Sequence, residues 1–360
     1  MKNKKLVIII AAVVVVLAVV LAVVLLGGKT PAGPTEKEYK LGMGIVVSTD
    51  SSKTGTAQVD ATVATVVLDA DGKIVLCRID VAQNKMTVTD GAVELDKTFK
   101  TKMELGTAYG MSTSPYSSDN DGDGRVLEWD VQTKEFEKYV VGMTAAEVAA
   151  MATKEVNDHL ISADDALINA GCTMQITDFR DAVVKACNDA QGMSFKTAGT
   201  VTLGVAAKTT VDSATKAATA EKEGVVAMYT DFAASAVVDG KIVASLNDAI
   251  QPKIAIKANG EIGATTYAGT KRELKEGYTM STSPYSSDND GDGRILEWYL
   301  QSEAFSKYVV GMTGTEVANM AVKNVNDHDI SADDALINAG CTIQITGIKA
   351  VVAQSVTNAR

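Results

Sequence analysis

The polarity pattern divides the chain into an apolar run, a short polar stretch and a long amphipathic remainder. Every residue from Leu6 to Leu26 is apolar, and Lys2, Lys4 and Lys5 precede this run. At ~1.5 Å per residue, a helix of this length would measure about 31 Å, which is enough to cross the hydrocarbon core of a bilayer. The sequence therefore predicts a membrane anchor in residues 1–26, with residues 6–26 as the partner of the lipid.

The residues that flank the run predict its orientation. The lysines should stay in the cytoplasm, which makes the chain a single-pass protein of the cell membrane with its C-terminal bulk outside the cytoplasm. A cleaved signal peptide is the alternative, but its apolar region is usually only ~7–15 residues long, and no A-x-A-like site follows Leu26. Residues 27–40 contain Pro31 and Pro34, which favour an extended linker.

The remainder of the chain is repeated at a spacing of 169 positions. MSTSPYSSDNDGDGR at residues 111–125 recurs unchanged at residues 280–294, and SADDALINAGCT at residues 162–173 recurs at residues 331–342. Solenoid repeats are only ~20–50 residues long. The period therefore predicts two tandem globular domains, residues 41–192 and residues 199–360.

Within each copy, strand patterns come first and helix patterns follow. β-Branched alternation around a D-G-K turn predicts a hairpin over residues 59–80, and again over residues 225–248. A capping box of Thr144 and Glu147 predicts an alanine-rich helix over residues 144–156. A last helix should bury one face, made of Phe179, Ala182, Val183, Ala186 and Cys187. The fold class predicted is α+β, with a small antiparallel sheet packed against helices in each copy, after the N-terminal transmembrane helix.

Composition and motifs narrow the function. The net charge is −11 and basic residues are not clustered, so nucleic acid is not an expected partner. The sequence contains no G-x-S-x-G, H-E-x-x-H or P-loop motif. These observations favour an electron-transfer or binding protein over a hydrolase or transferase.

Each copy carries an acidic, glycine-punctuated loop. Asp119, Asp121 and Asp123 alternate before Gly124, as at the start of a calcium loop, and Glu128 stands at the tenth position. The second copy repeats this set as Asp288, Asp290, Asp292 and Glu297. The loop therefore predicts a bound Ca²⁺ that braces the following helix, and a solvated turn without metal is the alternative.

The stretch DDALINAGCTMQITDFRDAVVKA, residues 164–186, resembles the end of the FMN-binding domain family. This family includes the C subunit of the sodium-pumping NADH:quinone oxidoreductase and many membrane-anchored bacterial proteins. Gly171, Cys172 and Thr173 stand where the family has Gly-Ala-Thr, and the D-G-K-I turn upstream also follows the family order. The resemblance implies an extracytoplasmic flavoprotein that passes electrons to a redox partner. The alternative is a calcium-stabilised cell-surface module that binds an envelope protein or builds envelope structure, without flavin.

Two departures from the family argue against a covalent flavin. Gln175 replaces the threonine that accepts FMN in flavinylated members, and Ala170 replaces a serine. Non-covalent FMN stays compatible with the sequence, because a Gly-x-Thr turn that opens a helix offers N–H groups and a hydroxyl to a phosphate. A plain turn and helix cap is the alternative. The candidate flavin-binding residues are Gly171, Cys172, Thr173 and Gln175, with Gly340, Cys341, Thr342 and Gln344 in the second copy.

The cysteines and histidines add little chemistry at the sequence level. Cys172 and Cys341 are interpreted as packed small residues, with thiols beside a redox cofactor as the alternative. His159 and His328 are the only histidines in the chain. One histidine in each copy is interpreted as a loop or surface residue.

Overall fold

The computed structural model describes residues 35–115, 117–284 and 286–360. The predicted anchor, residues 6–26, lies outside these ranges, as does most of the linker. Within the described ranges, no helix combines the length and apolar character needed to cross a membrane. Residues Glu38–Arg360 form one compact unit.

This unit mixes helices with antiparallel sheets, which confirms the predicted fold class at that level. The strands are β1 (Lys37–Ser48), β2 (Thr56–Leu68), β3 (Ile74–Thr89), β4 (Ala92–Val93), β5 (Thr153–Val156), β6 (His159–Ser162), β7 (Met193–Thr197), β8 (Thr202–Val211), β9 (Gly224–Val238), β10 (Lys241–Ile250), β11 (Lys253–Ile256), β12 (Ile262–Thr266), β13 (Val322–Val325) and β14 (His328–Ser331). The α-helices are α1 (Lys102–Leu105), α2 (Trp129–Tyr139), α3 (Ala145–Ala149), α4 (Asp165–Asn169), α5 (Thr177–Cys187), α6 (Lys271–Leu274), α7 (Trp298–Tyr308), α8 (Gly314–Ala318), α9 (Asp334–Asn338) and α10 (Thr346–Thr357). Short 3₁₀ turns follow α1 and α6, at Gly106–Tyr109, Met111–Thr113, Lys275–Tyr278 and Met280–Thr282.

The first sheet has the strand order β4-β3-β2-β1-β7. The predicted hairpin of β2 and β3 is confirmed, and Asp69 Oδ1 closes its turn by accepting the N–H of Lys73 at 2.9 Å. The sheet is wider than the sequence indicated, because residues 37–40 of the expected linker belong to β1, and β7 follows residue 192. Tyr39 stacks on Phe195 with 5.5 Å between ring centroids, so these two flanking segments pack together.

The second sheet is built around β9, which pairs with β8, β10 and β11. The predicted second hairpin is confirmed in β9 and β10. Its turn contains Asp239 at φ 49° and Gly240 at φ 76°. Two consecutive positive φ angles are the geometry of a tight type I′ hairpin turn.

The two sheets face each other, and helices cover their outer faces. A single buried core contains Leu41 and Val59 from the first sheet together with Leu203 and Phe232 from the second. Helices α2 and α5 pack on the outer face of the first sheet, and α7 and α10 on that of the second. The layers therefore run helix, sheet, sheet, helix. A close approach of α5 explains Gly44, since a Cβ there would lie 2.3 Å from the Ala182 carbonyl oxygen.

One helix prediction is confirmed, and the length of the other is wrong. The apolar face of α5 is buried as predicted. The capping box of Thr144 and Glu147 forms, but α3 ends at Ala149, so the prediction of a helix through residue 156 is wrong. Strand β5 follows instead and pairs with β6 across Asn157 and Asp158, which have φ angles of 48° and 62°. This two-residue turn stabilises a hairpin where the alanine pattern suggested helix.

Candidate functional site

Two large clefts open on the outer faces of the sheets. Cleft 1 has a volume of about 820 Å³ and is lined by strand residues such as Asp60 and Thr62, by the loop that contains Ser117, and by the first residues of α2 and α5. Cleft 2 has a volume of about 930 Å³ and is lined by the corresponding elements of the second copy. The shared lining positions, 169 residues apart, are Lys102 and Lys271, Tyr109 and Tyr278, Met111 and Met280, Asn120 and Asn289, Trp129 and Trp298, His159 and His328, and Gln175 and Gln344. Both volumes lie within the range of about 300–1,000 Å³ that is usual for small-molecule sites.

Each cleft contains a lysine that lies against aromatic rings. Lys102 Nζ lies 4.8 Å from the ring centroid of Tyr109 and 5.4 Å from that of Trp129. Lys271 Nζ lies 4.6 Å from Tyr278 and 5.3 Å from Trp298 in the same way. These lysines and aromatics were not among the predicted site residues. The signal for them was present, because KMELGTAYGM aligns with KRELKEGYTM at the 169-residue spacing.

The clefts differ in the position of one carboxylate. Cleft 1 is lined by Asp50 and Asp60 and also has a carboxylate on α5, at Asp178, whose pKa is raised mainly by burial and further by Asp181. In cleft 2 the corresponding position is Gly347, and the carboxylate is on β9 at Asp231, where burial raises the pKa to about 7. A Cβ on Gly347 would lie 2.3 Å from Asp231 Oδ2. Asp231 therefore occupies the space that a side chain at Gly347 would need.

The predicted flavin turn is held by protein groups. The N–H and Oγ1–H of Thr173 donate to Gln132 Oε1 at 2.9 and 3.3 Å. Thr342 makes the same pair of hydrogen bonds to Gln301, at 2.8 and 3.1 Å. Helix α5 begins only at Thr177, so the turn does not open the last helix as predicted. The N–H of Thr173 links this turn to α2, whose first residues line cleft 1.

The other predicted flavin residues are spread over different surroundings. Gly171 and Gly340 have φ angles of 101° and 97°. These positive values explain why both turns contain glycine. Gln175 and Thr173 line cleft 1, and Gln344 lines cleft 2. The structure thus places the glutamines in the clefts, whereas Gly340 and Thr342 line a separate depression of about 540 Å³ beside the second acidic loop.

The cysteines are buried, and the histidines lie at the clefts. Burial raises the pKa of both Cys172 and Cys341 to about 12. A thiolate at either position is therefore disfavoured at neutral pH, in keeping with packed small residues. His159 and His328 directly follow hairpin turns, as the first residues of β6 and β14, and their partly exposed side chains line the clefts.

The acidic loops bring three of the four predicted ligands together. Carboxylate oxygens of Asp119, Asp121 and Asp123 all lie within 4.8 Å of one another, and so do those of Asp288, Asp290 and Asp292. Asp119 also accepts the N–H groups of Gly122 and Gly124 at 2.8 Å each. The hydrogen bond from Gly124 is the main reason why the pKa of Asp119 is lowered.

The fourth predicted ligand lies apart from these triads. Glu128 accepts the N–H groups of Met111 and Ser112 at 2.9 and 3.2 Å, and Glu297 does the same for Met280 and Ser281. Each glutamate thereby fixes the start of the serine-rich loop against the helix that follows it. Neither belongs to the group of oxygens formed by the aspartates.

No family model, curated protein or solved structure matches this chain. The geometry of the described residues is therefore what supports a function.

Proposed function

We propose that the chain is a membrane-tethered extracytoplasmic protein with two tandem domains, in which each cleft binds FMN without a covalent bond. Bound flavin would supply one- or two-electron transfer at the outer face of the membrane, to a redox protein partner. The observation that carries the proposal is the pair of clefts. Each combines aromatic side chains, a lysine and a serine-rich wall at positions that share one spacing.

The lining of cleft 1 fits the two ends of a flavin mononucleotide. Tyr109 and Trp129 offer aromatic surface for a planar ring, which stacks favourably in an offset or edge arrangement. Lys85 and Lys102 both line the cleft, and a lysine ammonium is a common partner of a phosphate. Gln175 adds amide donors and acceptors that could hydrogen-bond to the ring edge.

The first test is a flavin titration that follows the quenching of FMN fluorescence by the purified chain. We expect saturable quenching at two sites per chain. Lys102→Gln should weaken binding at one site by about tenfold, which corresponds to about 1.4 kcal/mol, because it removes the charge nearest the aromatic surface. Lys138→Gln is the matched control, since Lys138 is exposed on α2 and pairs only with Glu135 at 2.6 Å.

Two results would contradict the proposal. One is the absence of saturable quenching, and the other is equal weakening by Lys102→Gln and Lys138→Gln. Equal weakening would mean that flavin responds only to the overall charge of the chain.

The aspartate triads favour a second candidate function, a calcium-stabilised cell-surface module that binds or builds without flavin. Three carboxylates that share a space of 4.8 Å repel one another, and a divalent cation relieves this repulsion. The two loops are identical in sequence. In this candidate, the cation would fix the loop that carries the serine-rich wall.

Calcium should raise the thermal stability of the chain if the triads bind it. At a free concentration 100 times the dissociation constant, one site adds about 2.7 kcal/mol to the free energy of unfolding. Asp121→Asn with Asp290→Asn should abolish the rise in melting temperature, as measured by calorimetry with calcium and with chelator. Asp71→Asn, in the exposed β2–β3 turn, should leave the rise unchanged. A melting temperature that ignores calcium in the unmodified chain would remove this candidate.

A further inference from the structure

Lys271 is a buried amine at the wall of cleft 2. It is the first residue of α6, only 6% of its surface is exposed, and it still lines the cleft. Three rings surround its ammonium group, because Tyr229 adds a third ring centroid at 4.6 Å to those of Tyr278 and Trp298. Bulk water therefore has little access to the amine, although the lysine side chain forms part of the cleft wall.

These surroundings make the amine chemically different from a surface lysine. Burial lowers the pKa of Lys271 to about 8, although Asp231, Asp248 and Asp212 act in the opposite direction. At pH 7.5 such an amine is neutral about a hundredfold more often than a lysine with the usual pKa of about 10.4. Neutral, desolvated lysines are the ones that act as nucleophiles toward carbonyl carbon.

Polar groups beside the amine are placed to move protons. The Nζ of Lys271 donates to the hydroxyl of Tyr229 at 3.0 Å. Burial and nearby carboxylates keep the pKa of Tyr229 well above its usual value, so that its hydroxyl stays protonated. Asp231, whose pKa is about 7, exchanges a proton near neutral pH.

The charged groups that line cleft 2 are balanced in number. The lining contains Asp212 and Asp231 as well as Lys208 and Lys271. A carbonyl compound without net charge therefore meets neither net attraction nor net repulsion in this cleft.

We propose that cleft 2 captures a small aldehyde or ketone as an imine on Lys271. The nitrogen lone pair forms a bond to the carbonyl carbon, and the carbonyl π pair takes a proton to give a carbinolamine. The hydroxyl then leaves as water with the remaining amine proton, so that one imine and one water replace the amine and the carbonyl compound. The Tyr229 hydroxyl, 3.0 Å from Nζ of Lys271, would donate to the carbonyl oxygen. This step needs neither flavin nor calcium.

Cleft 1 provides the internal comparison. Lys102 occupies the corresponding position but is only half-buried, and Asp60 and Thr62 stand where cleft 2 has Tyr229 and Asp231. Cleft 1 therefore has no tyrosine hydroxyl at the position of Tyr229 and no carboxylate at the position of Asp231. Imine capture is therefore specific to cleft 2.

The test uses the full chain, pyridoxal as an aromatic aldehyde without net charge at neutral pH, and cyanoborohydride to reduce any imine. Peptide mapping by mass spectrometry should find the reduced adduct at Lys271 first, forming about tenfold faster than at exposed lysines. The rate should rise with pH through about 8, the pKa of Lys271. The groups that face this amine and could shift that midpoint are Asp212, Asp231, Asp248, Tyr229, Tyr278, Lys208 and His328.

Matched variants separate this chemistry from general lysine reactivity. Lys271→Arg should abolish the early adduct, whereas Lys307→Arg, at an exposed lysine on α7, should leave it unchanged. Tyr229→Phe should slow adduct formation while the amine stays in place. Adducts spread over exposed lysines, with Lys271 unmodified in the unsubstituted chain, would overturn the proposal. Pyridoxal capture without flavin quenching would support it and contradict only the flavin proposal.

Discussion

Replacing Glu137 with alanine is expected to lower the free energy of unfolding by about 3 kcal/mol, because it leaves arginines without their buried partner. Glu137 lies on α2 with 3% of its side chain exposed. Its carboxylate accepts the N–H of Ile79 at 2.9 Å and a hydrogen bond from Arg360 at 2.8 Å, and it lies 3.6 Å from Arg78. The change would leave Arg78, whose side chain is 14% exposed, without a carboxylate side chain as partner, and only the oxygens of Cys77 and Arg360 would still accept its hydrogen bonds.

The second copy supplies the control for this prediction. Ser306 occupies the same position on α7, where Asn247 Nδ2 donates to its Oγ at 2.9 Å. Ser306→Ala should cost about 1 kcal/mol, the usual value for a neutral hydrogen bond. Urea unfolding of both variants measures the difference. Equal losses in the two variants would mean that the charged network contributes no more than the neutral pair.

This network also ties the C-terminal part of the second copy to the first sheet. Arg360 exchanges backbone hydrogen bonds with Leu203 on β8, at 3.3 and 3.4 Å, while its side chain reaches Glu137. Glu137→Gln keeps the size and the acceptor for Ile79 and removes the charge. A loss with glutamine close to that with alanine would therefore assign the effect to charge.

The sequence predicted the local elements well, because their signals are local. The D-G turns predicted both hairpins, and the spacing of apolar residues predicted the buried face of α5. The helix prediction over residues 144–156 was wrong because it relied on the alanine content and overlooked the turn that Asn157 and Asp158 form. That pair was a readable turn signal, since both residue types tolerate positive φ.

The face-to-face packing of the two sheets had only a weak signal in the sequence. Strand β2 is rich in alanine, valine and threonine, and nearly all of its residues are buried on both faces. Such a strand must be covered on two sides. The composition could have indicated a sheet buried on both faces. It could not indicate that the sheet of the second copy packs on one of these faces.

The clefts could not be predicted, because their residues come from distant segments that only the fold brings together. Asp60, Lys102, Trp129 and Asp178 line one cleft from four separate elements. The aspartate triads were predictable because their three members are nearly adjacent in the chain. The spacing predicted Glu128 as a fourth ligand, but its carboxylate instead accepts the N–H groups of Met111 and Ser112.

Stability should fall as the pH rises from about 4 to 7, owing to three buried aspartates. Burial raises the pKa of Asp80 to about 7, that of Asp231 to about 7 and that of Asp248 to about 6. In the unfolded chain each carboxyl titrates near about 3.9. Between these values the folded state holds protons that the unfolded state has released. In this interval each group therefore lowers the free energy of unfolding as the pH rises, and its stabilisation is fully present only below about pH 4.

Two of these aspartates also accept hydrogen bonds at the start of a helix. Asp80 accepts the N–H groups of Val81 and Met103 at 2.7 and 3.1 Å, and Asp248 accepts those of Ala249 and Arg272 at 2.7 and 3.0 Å. Each carboxyl thus fixes the start of α1 or α6, the helices that carry Lys102 and Lys271.

Asparagine substitutions test the assignment, because an amide keeps the acceptor oxygen and cannot ionise. Asp80→Asn and Asp248→Asn should each flatten the decline in unfolding free energy, measured by urea titration at intervals from pH 4.5 to pH 7.5. Asp165→Asn should not flatten it, since Asp165 is exposed, with 86% of its side chain accessible.

Carboxylates with a lowered pKa, such as Asp164, stabilise the fold as the pH rises only below about pH 4, so they do not mask the decline. An unsubstituted chain whose stability stays flat or rises across this interval would show that the buried carboxyls are ionised in the fold. The helices that carry both lysines would then be held by charged carboxylates.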